Sequence, residues 1–154
     1  MMLKHALPLL ALIAAAPGAA QQNQAIIEPA QVVSAAQVCI AAYDEKKFEF
    51  SERKFKTLGW TRARFDDPLT DIAKAWVRPD GALTITLQTV CALKVRMTAD
   101  GLSALPEAFS GTEGFEAASA GGSDPKWTVG RWSVELHAGP ADGSNVSVEV
   151  ERGF

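Results

Sequence analysis

Apolar residues recur along this chain at two different spacings. Val32, Ala36, Cys39 and Tyr43 stand four, three and four positions apart, with Val33 and Ile40 widening the stripe. That is a helical period, and it predicts a helix from Pro29 to about Tyr43 with Cys39 on its buried side. Pro29 suits the first helical position, and the acidic Glu28 before it suits the helix dipole. Further on the period changes to two. Leu83, Ile85, Leu87, Cys91, Leu93, Val95 and Met97 hold odd positions, while Thr84, Thr86, Gln88, Lys94 and Arg96 hold even ones. This is β alternation, and it places Cys91 on the apolar face. A single strand of this length would span about 50 Å, too long for a small domain, so a bend, bulge or loop is expected near Gln88 to Val90.

The rest of the pattern fills in around these two segments. Ser51 reads as the N-cap of a short helix with Phe55 and Leu58 inward and Gly59 just past its end. A strand begins near Trp60 and gives way at Asp66, Asp67 and Pro68. Ala73 to Arg78 forms a strand that Pro79, Asp80 and Gly81 turn back onto the one starting at Ala82. Thr98 or Asp100 caps a third helix with Leu102, Leu105 and Phe109 inward, although Pro106 weakens its middle. Residues 111–125 read as a loop with at most a short strand near Phe115. Trp132, Val134, Leu136 and Ala138, then Val146, Val148 and Val150, form a closing hairpin. Trp127 and Val129 are out of phase with Trp132, which predicts a bulge at Gly130. No internal repeat is evident. The expected fold class is α+β: an N-terminal helix packed on a mostly antiparallel sheet of about five strands.

Composition adds an address. Lys4 precedes an apolar run from Ala6 to Ala16, followed by Pro17 and the small residues Gly18, Ala19 and Ala20. This is the order of a secretory leader, too short for a membrane-spanning helix, with cleavage expected after Ala20 or, alternatively, Gly18. Residues 1–20 are thus a signal peptide and residues 21–154 one globular domain, periplasmic or secreted. An exported chain oxidises its cysteines, and with only Cys39 and Cys91 there is one possible disulfide.

The formal charge of −3 hides an asymmetry. Between residues 46 and 64, seven cations face only Glu49 and Glu52, with aromatic residues interleaved. Phe48, Phe50, Arg53, Lys54, Lys56, Trp60, Arg62 and Arg64 make up a candidate binding face for an acidic protein or an anionic envelope component. The competing explanation is a core of aromatics under a solvated cationic surface. The acidic overall balance argues against nucleic acid as a partner.

Catalytic chemistry finds little to stand on. His137 is the one histidine beyond the leader, expected on the solvent side of a strand, and the cysteines are committed to each other. No metal site, no cofactor motif and no catalytic residue is assigned. These features predict a non-catalytic extracytoplasmic binding or accessory protein, of inhibitor or immunity type. The alternatives are a carboxylate-dependent envelope enzyme using Asp66, Asp67 and Asp71, or a structural subunit of an envelope assembly.

Overall fold

The computed structural model describes residues 26–63, 74–81, 83–87, 89–118, 124–138 and 145–153. The expected leader lies outside these residues, as do Arg64 and the acidic group Asp66, Asp67 and Asp71. Helix α1 (Pro29–Ala42) starts at its proline, and the Glu28 backbone N–H donates to the Gln31 side-chain oxygen at 3.0 Å to cap it. A small hairpin follows, β1 (Tyr43–Asp44) and β2 (Glu49–Phe50), then α2 (Glu52–Thr57). The first half ends in β3 (Thr61–Arg62), β4 (Lys74–Val77), β5 (Leu83–Leu87) and β6 (Cys91–Arg96). The second half comprises α3 (Ala99–Ser110), β7 (Glu116–Ala117), β8 (Lys126–Val129), β9 (Trp132–Ala138) and β10 (Asn145–Arg152).

The main sheet is antiparallel throughout its described pairings and runs β3-β4-β5-β6-β10-β9-β8-β7. It extends the expected core of about five strands outward to eight. Its two edge strands are two residues each, too short to carry a readable period. Turn parity explains the alternation. Residues 88–90 join β5 to β6 with Leu87 opposite Cys91, and an odd connection keeps the inward side chains on odd numbers. Gly130 and Arg131 join β8 to β9 with Val129 opposite Trp132, and an even connection switches them. The phase change expected to mark a bulge at Gly130 is therefore a two-residue hairpin turn.

The helices cover one face. Ile85, Leu93, Val134, Leu136, Val146 and Val148 are buried beneath them, while Lys94, Glu135, His137, Ser147 and Glu149 occupy the opposite, more open face. Helix α1 lies over β6 and β10 and contacts both α2 and α3. Cys39 of α1 and Cys91 of β6 form the disulfide, with Cα atoms 6.0 Å apart. The helix-on-sheet α+β arrangement and its single staple are those read from the two periodicities.

The strand order reads the same from either edge, with β6 and β10 meeting antiparallel at the centre. Each half is a helix followed by a four-stranded meander. The resemblance extends to side chains. In the first half Phe55 of α2 meets Trp60 at 5.7 Å and stacks on Trp76 of β4 at 6.1 Å. In the second, Phe109 of α3 meets Phe115 at 5.4 Å and stacks on Trp127 of β8 at 4.7 Å. Both units turn from helix to strand at a glycine with positive φ, Gly59 at 75° and Gly114 at 88°, directly before the second aromatic. A side chain at either position would oppose that turn. An internal repeat is thus present where none was evident in sequence. The helical phenylalanine and the glycine are separated by three residues in one unit and four in the other, enough to mask the match. Leu58, expected inward, is 43% exposed because α2 ends before it.

Candidate functional site

The two halves differ in one respect that shapes the surface. The first half is preceded by α1 and the β1–β2 hairpin, whereas β6 runs into α3 through Met97 and Thr98 alone. The hairpin pairs Tyr43 with Phe50 and closes its four-residue loop with a turn in which the Lys47 N–H donates to the Asp44 carbonyl at 3.2 Å. The Asp44 carboxylate accepts the Lys46 N–H at 3.0 Å, so aspartate does here what it commonly does at a turn entry. The last loop position requires left-handed backbone, and Phe48 occupies it at φ 55°. It is the only non-glycine residue with positive φ among those described, and it is 73% exposed. Glycine or asparagine is the usual occupant of such a position.

The hairpin stands beside the end of the sheet and encloses an open groove of about 840 Å³. Three aromatic rings form one wall. Tyr43 meets Phe50 at 5.3 Å and Trp132 at 5.1 Å, both edge to face, and Phe50 lies 6.0 Å from Trp132. Phe48 adds an exposed aromatic surface to the lining. Polar groups come from the sheet: Lys126 and Thr128 of β8, Ser133 of β9 and Glu151 and Arg152 of β10. Arg131 joins them from the β8–β9 turn. The Arg152 guanidinium lies 5.3 Å from the Tyr43 ring centre and bonds Glu45 at 2.7 Å, contacts that fix its position within the chain. The described lining residues offer apolar contact, hydrogen bonding and charge.

The candidate face read from sequence divides between two places. Phe48 and Phe50 belong to the groove, but Phe50 is buried in its wall and Trp60 is buried against Phe55. Arg53, Lys54 and Lys56 are exposed along α2 and Arg62 on β3, none of them lining the groove. The Lys56 amine lies 5.8 Å from the Trp76 ring centre, and neighbouring Glu52 bonds Lys74 at 2.7 Å. That hydrogen bond, followed by the nearby cations, holds the Glu52 carboxyl below its ordinary value despite partial burial. Among these cations Lys56 therefore covers part of the core, as in the packing explanation.

A second polar group was not legible in sequence. His137 Nδ1 lies 2.8 Å from an Asp124 carboxylate oxygen, and Nε2 lies 3.6 Å from Glu149. One ligand atom each from Asp124, Glu135 and His137 come within 4.8 Å of one another, the spread of a metal-ligand set, while Glu135 also pairs with Lys126 at 3.4 Å. Alternation puts His137, Glu135 and Glu149 on one sheet face, but only the strand order brings β9 and β10 together with Asp124. Hydrogen bonding from Asp124 chiefly, with the other carboxylates adding, raises the His137 pKa against the effect of partial burial.

Comparison with protein-family models, curated proteins and solved structures found no match to this chain. The class defined by fold and site is an α+β domain with a helical layer on one antiparallel sheet and an aromatic groove at the sheet's end. No helix among the described residues is long and apolar enough to cross a membrane.

Proposed function

We propose that this chain is a non-catalytic, extracytoplasmic binding or accessory protein that seats its ligand in the groove between the β1–β2 hairpin and the end of the main sheet. The observation that carries the reading is Phe48. An exposed phenylalanine in a backbone region that opposes its side chain costs stability in strain and recovers little of it through burial. Features that break local rules without a folding benefit belong to function more often than to structure. The aromatic wall and the cations beside it supply what a ligand site needs: area, orientation and a few convergent polar groups. The apolar leader and the Cys39–Cys91 disulfide support the extracytoplasmic placement.

The test is a two-dimensional amide spectrum of the protein titrated with small ring compounds: indole, 2-naphthol and a p-nitrophenyl glycoside. Shift changes are expected to gather at Phe48, Arg131, Trp132 and Gly153. Changes confined to residues 53–62, or to His137 and its carboxylates, would move the site elsewhere and overturn the reading.

A further inference from the structure

Among the described lining residues, three cations, Lys126, Arg131 and Arg152, stand against the single carboxylate of Glu151. This is a local inversion, because the chain as a whole carries a charge of −3. Lys126 and Arg152 each have an acidic partner outside the lining, Glu135 and Glu45. Arg131 has no ion pair among the described residues and is exposed on its two-residue turn. It does not stand apart from Arg152. The Gly153 N–H donates to the Arg131 carbonyl at 2.7 Å, so the two arginines leave the backbone from neighbouring points at the end of the sheet. A side chain on Gly153 would bring its Cβ to 3.1 Å from that carbonyl, closer than nearly all such contacts.

From this juxtaposition we infer that the ligand is a small organic anion: a carboxylate, sulfonate or phosphate carried on a flat ring. The inference rests on the groove reading above and adds the chemical class to it. A guanidinium is planar and offers paired donors to such a head group, and one already ordered by Glu45 and Tyr43 loses little freedom on binding. The ring lies along Tyr43 and Trp132, with Phe48 against its open side. The groove is far larger than an inorganic ion, and its volume of about 840 Å³ suits a ligand of several fused rings' size.

Two fluorescent dyes that share one ring system separate the claims. 1-Anilinonaphthalene-8-sulfonate carries the anion, and N-phenyl-1-naphthylamine lacks it. The sulfonate is expected to bind about tenfold more tightly, with an advantage that shrinks in about 0.5 M salt. Arg131→Gln should remove most of that advantage, Arg131→Lys should keep part of it, and Arg53→Gln on α2 should leave it unchanged. Equal affinity for both dyes, with both weakened by Phe48→Ala, would overturn the anion while the groove stands. Binding of either dye that Phe48→Ala and Trp132→Phe leave untouched would overturn the groove as well.

Discussion

At the scale of single residues, charge and backbone geometry point to different places. Phe48 is where the backbone takes a left-handed conformation under an exposed side chain, and His137 is where carboxylates gather around an imidazole. The imidazole sits between Asp124 and Glu149 on a half-exposed sheet face, and its pKa is raised above the ordinary 6.5. A group whose folded pKa exceeds its unfolded value adds stability that is complete below the unfolded pKa and fades as pH rises through the folded one. His137→Gln should therefore lower the urea midpoint at about pH 5.5 and have little effect at about pH 9. An equal loss at both values would show that the side chain matters for packing and not for its charge. Glu52 has the opposite sign. Its depressed pKa gives stability that is present above about pH 4.5 and lost as pH falls through the folded value, so Glu52→Gln should matter at neutral pH and cease to matter in acid.

Elements carry the repeat, and one difference between its units is directly measurable. The Trp127 Nε1–H donates to Ser110 Oγ at 3.0 Å, whereas the buried Trp76 Nε1 has no hydrogen-bond partner among the described residues. Ser110 follows Phe109, and the residue following Phe55 is Lys56, which covers the Trp76 ring instead. Tryptophan to phenylalanine removes similar volume in both places, so the hydrogen bond decides the contrast. Trp127→Phe should cost about 1 kcal/mol more than Trp76→Phe in chemical denaturation. Equal costs would mean that Trp76 is satisfied after all.

Legibility followed the same physics. Long segments with one period were readable: α1 through its stripe from Val32 to Tyr43, and β5 with β6 through odd-numbered side chains that an odd turn keeps in register. Cys39 and Cys91 were placed inward by those two periods independently. The β1–β2 hairpin was not readable. Its strands are two residues long, and its left-handed position holds phenylalanine, so the glycine or asparagine that would mark the turn is missing. The groove depended on that hairpin and on bringing Trp132 and Arg152 beside it from far along the chain, which no local pattern encodes. Phe48 and Phe50 were singled out by composition, but as part of a continuous cationic face that the fold divides between hairpin and α2.

Across the whole molecule, the halves meet at β6 and β10, and α1 spans that junction. The disulfide fixes the helix to β6 and closes a loop of 52 residues in sequence separation. Restricting the unfolded chain in this way is worth about 4 kcal/mol in the chain-entropy model. The Cys39→Ala, Cys91→Ala double variant should lose a comparable amount in urea titration, and reductant should destabilise the native protein but not the variant. A loss below about 1 kcal/mol would show that apolar packing alone seats α1.

The groove sits on this braced frame, at the end where the hairpin stands, and the proposed function requires that Phe48 be kept for binding. The direct measurement is urea unfolding, followed by circular dichroism, of the native protein and Phe48→Asn with and without saturating 1-anilinonaphthalene-8-sulfonate. Without the dye the variant should be more stable by about 0.5–1 kcal/mol, because asparagine tolerates left-handed backbone. With dye at about a hundred times its dissociation constant, the native protein should gain about 2.7 kcal/mol and the variant clearly less. A variant that is less stable alone, or that gains as much from the dye, would contradict the assignment.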